Sequence, residues 1–80
     1  MSSFITRVVE YIWQEIKISE IFIDDLQLME IQLEEMCEEL ECSEDSVISR
    51  IDDILDEFKM QYLDSISDIQ FDTNKIMIEL

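Results

Sequence analysis

The chain has 80 residues, with 21 Asp and Glu against five Lys and Arg, no His, no Gly, no Pro and two Cys, for a formal net charge of −16. That balance argues against direct binding to nucleic acid or to an anionic membrane, since both are polyanions. Without His or Gly the chain lacks the commonest general base, most zinc sites, Gly-rich phosphate loops and EF-hand loops, so neither catalysis nor a cofactor nor a metal is expected.

The length suits a single domain over residues 1–80. A chain this short buries only about 60% of the surface its unfolded form exposes. Its 48% hydrophobic content is nevertheless enough for a core. A homodimer is compatible with so small a core. Cys37 and Cys42 read as reduced thiols, which suits a cytoplasmic location. No stretch pairs a basic n-region with an apolar h-region, and no uncharged apolar run approaches the ~20 residues of a membrane span.

Taken in chain order, Ser2 or Ser3 can cap a first helix whose apolar stripe is Ile5, Val8, Val9, Ile12, Trp13 and Ile16. At that spacing Trp13 is expected to anchor the core. The β-branched and aromatic run at Glu20–Ile23 predicts a short strand, with a short helix as the alternative. Asp24 or Asp25 then caps a second helix with the stripe Leu26, Met29, Leu33, Met36, Cys37 and Leu40. Ser43 caps a third, with Glu44 and Asp45 in its first turn and Val47, Ile51, Ile54, Leu55, Phe58 and Tyr62 on its buried side. This helix is expected to end between Leu63 and Ser67. Ile69 and Phe71, then Ile76, Ile78 and Leu80, alternate at period two around Asp72-Thr73-Asn74-Lys75. That pattern predicts a hairpin with Asn74 in the left-handed position.

The expected fold is mainly α with a small C-terminal β-hairpin (α+β): three helices, in the order helix, strand, helix, helix, strand, strand. That is a winged-helix order. Within it, Met36 to Ile51 resembles a helix-turn-helix. Cys37 stands where that motif takes a small residue, and Met36, Leu40, Cys42, Val47 and Ile51 stand at its core positions. Ser43 opens its recognition-type helix, while Glu41 replaces the usual turn Gly. Arg7-Val8-Val9 and Phe22-Ile23-Asp24-Asp25-Leu26 resemble pieces of acyl carrier proteins. That family's attachment serine would fall at Gln27-Leu28-Met29, which contains none.

The segment from Asp24 to Glu57 concentrates fourteen acidic residues with one base, Arg50, a net −13. Solubility needs a net charge of only about 2 to 8 in magnitude. Carboxylates four apart on a helix rise about 6 Å along its axis, against one phosphate per about 3.4 Å on each DNA strand. By composition the chain resembles small acidic phage-encoded DNA-mimic inhibitors, including anti-CRISPR and anti-restriction proteins. The resemblance implies a basic nucleic-acid-binding partner such as a nuclease, a CRISPR effector or a polymerase, met in the host cytoplasm. The residues expected to meet it are Glu30, Glu34, Glu35, Glu38, Glu39, Glu41, Asp52, Asp53, Asp56 and Glu57. The alternative is a winged-helix regulator that does not bind DNA and acts through protein contacts or dimerisation, with Trp13, Phe22 and Met60 as contacts.

Overall fold

In the computed structural model, which describes residues 3–80, the first helix, α1 (Phe4–Phe22), starts at Ser3. The Ser3 hydroxyl oxygen accepts from the Thr6 N–H at 3.1 Å and so satisfies one orphan donor of the first turn. Ser2, the other candidate cap, lies outside the described residues. Val8, Val9, Ile12 and Ile16 are fully buried, and Ile5 and Trp13 pack against them. Trp13 is therefore a partly buried anchor: its ring stacks on Tyr62 with centroids 4.1 Å apart.

Glu20–Ile23, expected as a strand, continues the helix to Phe22 instead. Once a helix is nucleated, each further residue adds a hydrogen bond, and a β-branched side chain costs only a fraction of a kcal/mol. The first residues with a strong competing preference are Asp24 and Asp25. Ile23 ends the helix in an extended conformation, its N–H still bonded to the Ser19 carbonyl at 2.9 Å. Asp25 then takes φ 55°, a left-handed conformation that Asp tolerates better than most residues.

The strand appears further on, as β1 (Leu28–Gln32), where the sequence predicts the start of the second helix. Leu, Met, Glu and Gln individually prefer helix, and Leu26, Met29 and Leu33 fit a helical stripe. Pairing with a distant strand overrides that preference. Met29 and Ile31 point inward, while Leu28, Glu30 and Gln32 are exposed. The second helix, α2 (Leu33–Leu40), is therefore only two turns long and buries Leu33, Met36 and Cys37.

Ser43 caps as expected, accepting from the Ser46 N–H at 3.2 Å. The expected third helix is divided in two, α3 (Glu44–Ile48) and α4 (Ile51–Tyr62). At the break the Ser49 hydroxyl donates to the Ser46 carbonyl at 3.1 Å, a side-chain bond that competes with helix propagation. Arg50, at φ −119° and ψ 16°, lies off the helical conformation. Val47 and Ile51 fit one stripe because both still turn toward the core across the break.

The hairpin is β2 (Asp68–Asp72) and β3 (Lys75–Glu79). The residue at positive φ in its turn is Thr73, at 52°, and not Asn74. Strand β3 lies at the centre of an antiparallel sheet of order β1-β3-β2. Met29 and Ile69 face Ile78, and Ile31 and Phe71 face Ile76, so one side of the sheet is continuously apolar. α1 packs against β1 and α4 against β2, closing a core with no buried polar or charged residue among those described. The architecture is α+β, mainly helical with a small three-stranded antiparallel sheet, and it has four helices where the sequence predicts three.

Thr73 is β-branched and Glu41 takes φ 54°, and both conformations cost about 1–2 kcal/mol relative to glycine. Thr73→Gly should therefore raise the thermal midpoint by about 4–8 °C for each kcal/mol recovered. Glu41→Gly should raise it further, because it also removes a carboxylate from the negative end of α2. Calorimetry of the two variants beside the parent checks the order. An unchanged midpoint in both would remove strain as the explanation.

Candidate functional site

Helix α2 buries one side and leaves Glu34, Glu35, Glu38 and Glu39 in solvent. These form two rows, Glu34/Glu38 and Glu35/Glu39, each rising about 6 Å over four residues. Glu34 and Glu38 join Glu44 around an open groove of about 480 Å³ that Cys37, Cys42 and Ser43 also line. Glu35 and Glu39 converge with Glu15 on the phenol of Tyr11. Burial first, then the charges of Glu15, Glu39 and Glu35, push that phenol above its ordinary pKa.

Glu41 closes α2 in the left-handed conformation, φ 54° and ψ 48°. Its N–H bonds to the Glu38 carbonyl at 3.4 Å, and the Cys42 N–H bonds to the Cys37 carbonyl at 3.0 Å. That pair of bonds is a Schellman turn, which normally favours Gly at the left-handed residue. The turn also brings together the Cys37 and Cys42 side chains, which are free thiols close enough to influence each other.

On α4, Asp52/Asp56 and Asp53/Glu57 make two further rows. The three aspartates are exposed and Glu57 is half-buried, its carboxylate accepting from Gln61 at 2.8 Å. At the junction of α1, the α2–α3 turn and the start of α4 is a groove lined by Phe4, Arg7, Glu41, Cys42, Ser46 and Arg50, among others. Glu30 stands apart from both blocks, on the outer face of the sheet, where the Lys75 ammonium donates to it at 3.2 Å.

The nearby cations do not neutralise the acids. The Arg7 guanidinium donates to the Leu40 carbonyl at 3.1 Å, and that of Arg50 lies 5.7 Å from the Phe4 ring centroid. Among the described residues the ion pairs are Lys17–Glu20 and Lys75–Glu30, so Glu30 alone of the ten candidates is paired. Glu15 and Glu44 belong to the surface but are missing from the sequence-based set. The signals for them were the four-residue spacing from Tyr11 to Glu15 and the place of Glu44 directly after the Ser43 cap.

No group of metal-ligating side chains forms a metal site among the described residues, and no helix among them is long and apolar enough to cross a membrane. No family model, no curated protein and no solved structure matches the chain.

The thiol pair gives a pH signature. Burial, then the hydrogen bond and charge of Cys42, then the charge of Glu44, push Cys37 from 9.0 up to about 11. Between those values the unfolded chain has released the thiol proton and the folded chain still holds it, so stability falls as pH rises. Below pH 9 this contribution is fully present. The thermal midpoint should therefore decline from pH 9 to 11, and less steeply in Cys37→Ala once its lower starting stability is subtracted. Equal slopes for the two proteins would contradict the assignment.

Proposed function

We propose that the protein is an inhibitor that occupies the nucleic-acid-binding surface of a basic protein, presenting carboxylate rows where a phosphate backbone would lie. The observation that carries this reading is the set of carboxylate rows on α2 and α4 that make no ion pair, exposed but for the half-buried Glu57, beside two arginines committed to a carbonyl and to an aromatic ring. A carboxylate held on a helix needs little reorganisation to meet a Lys or Arg. Each row spans about the axial distance of two phosphates on one DNA strand. The same charge would speed encounter with a cationic cleft and make the complex sensitive to salt.

The partner class is a nuclease, a CRISPR effector or a polymerase. The place of action is the host cytoplasm, and the inhibition is of the anti-CRISPR or anti-restriction kind. The protein performs no reaction in this scheme and carries no cofactor. Glu34, Glu35, Glu38 and Glu39 form the primary contact, extended by Glu41. Asp52, Asp53, Asp56 and Glu57 form a second block that can engage another part of the same cleft. Glu30, already neutralised by Lys75, contributes least.

Pull-downs from bacterial lysate at about 0.05 and 0.5 M salt test the reading, since the Debye length shrinks roughly threefold between them. Nucleic-acid-binding proteins should be retained at low salt and released at high salt. Reversing Glu34, Glu35, Glu38 and Glu39 to Lys should abolish retention while circular dichroism stays helical. The corresponding α4 reversal, at Asp52, Asp53, Asp56 and Glu57, should weaken retention by about tenfold, as for a rim of secondary charges. Retention of the same partners by the α2 reversal would overturn the proposal.

A further inference from the structure

The two cysteines occupy a matched pair of places in the turn that ends α2. In a Schellman turn the outer backbone bond joins a residue in the last helical turn to the second residue beyond the helix, and the side chains of that pair commonly meet across the turn. Here the outer bond runs from the Cys42 N–H to the Cys37 carbonyl at 3.0 Å, so thiols fill both places.

That bond also limits how far apart the two backbones can be. With the N–Cα bond of Cys42 and the Cα-to-oxygen span of Cys37 laid end to end with it, the Cα atoms are at most about 6.9 Å apart. Any bend at the hydrogen bond brings them closer. A disulfide spans Cα separations of about 4.4 to 6.8 Å. The turn therefore already holds the pair within bridging reach, and both residues line one open groove.

The two thiols differ in access. Cys42 is half-buried, whereas Cys37 is only 5% exposed. Burial first, then Cys42 and Glu44, hold the Cys37 thiol protonated. Since a thiolate and not a thiol attacks a disulfide, Cys42 is the entering nucleophile. Cys37 follows once Cys42 is capped, because a capped sulfur no longer carries the charge that opposes ionisation of Cys37. The rim of the groove selects the reagent. Glu34, Glu38 and Glu44 stand exposed around the thiols, with no basic residue among those lining it. Such a rim concentrates a cation and repels an anion.

We propose that Cys37 and Cys42 form a modification site, which a small cationic disulfide oxidises to an intramolecular disulfide. Cys42 Sγ gives its proton to solvent and attacks one sulfur of the reagent, releasing one thiolate and leaving a mixed disulfide. Cys37 Sγ then loses its proton and attacks Cys42 Sγ, and the other half of the reagent leaves as the second thiolate. The two released thiolates take up two protons. The protein has lost two electrons and two hydrogens, and one disulfide reagent has become two thiols. The bridge closes over Glu38–Glu41 and fixes the left-handed Glu41 turn at the end of the Glu34/Glu38 row. None of this depends on what that row binds.

Treatment of the folded chain with cystamine tests it, with acid quenching, alkylation of the remaining thiols and measurement of the intact mass. The parent should lose about 2 Da and both alkylatable thiols, with no reagent retained. In Cys37→Ala the cystamine half should stay on Cys42 as a lasting adduct. In Cys42→Ala, Cys37 should react at least about tenfold more slowly than Cys42 does in the other variant, and unfolding in urea should remove that difference. At about 0.05 M salt, cystamine should oxidise the parent at least about tenfold faster than anionic oxidised glutathione does, each rate taken relative to that with free cysteine, and about 0.5 M salt should narrow the gap. If a single variant fails to fold, the parent mass still decides. A parent that stays unreacted, keeps two reagent adducts or links two chains would overturn the proposal, as would equal reactivity of the two folded single variants. Equal relative rates for the two reagents would overturn the assignment of a cationic one.

Discussion

The structure depends on the apolar contact that α1 makes along Val8, Val9, Ile12 and Ile16, since α4, α2 and β1 all pack on this helix. Helix α2 has two turns and α3 barely more than one, lengths at which an isolated helix does not persist in water. The like-charge pairs of α2 at i, i+4 cost a few tenths of a kcal/mol each, and no basic residue stands in the last turn of either helix. What holds them is the area they bury against α1 and the sheet, at about 25 cal/mol per Å². The core admits no polar or charged residue among those described, so every carboxylate lies at or near the surface. The acidic surface and the greasy interior are thus one design: the first can be so dense because the second contains nothing that needs a partner.

The parts of this fold that could be read from the sequence are those set by local physics. Ser3 and Ser43 are good caps and do cap; the α1 stripe runs at helical period; the hairpin alternates at period two and pairs in that register. The parts that could not be read depend on distant partners or on turn detail. Leu28–Gln32 is a strand because β3 offers it a ladder, which nothing within those five residues announces. The α3–α4 break rests on a single hydroxyl competing with the backbone, and the apolar stripe passes through it unchanged. The hairpin places Thr73, not Asn74, at positive φ, against the ordinary preference of both residues. The acidic candidates were legible as a density of charge. So was their division between two helices, except that Glu30 moved off the helix with the misplaced strand.

The α2–α3 segment joins its two helices through a Schellman turn, caps the second with Ser43 and buries Met36, Cys37 and Val47. In a DNA-binding version, phosphates would meet backbone N–H groups and basic side chains near such helix starts. Here the start of α3 carries Glu44 and Asp45, and the preceding helix carries the Glu34/Glu38 row. Two like charges about 4 Å apart repel by about 1 kcal/mol even in water. Several such encounters would outweigh what the helix dipole could offer a phosphate. Such a surface disfavours phosphate, which is in keeping with the cationic partner proposed above.

The charge carries a cost that screening limits. Self-repulsion at a net −16 weakens any compact state, and bringing two copies together doubles the charge in one assembly. Screening removes most of this beyond about 8 Å at physiological ionic strength, so what matters is local density, not the total. Ile21 and Phe22 stand exposed at the C-terminal end of α1, where Glu20, Asp24 and Asp25 are exposed as well, so the negative charge runs along the molecule and is not confined to one end of it.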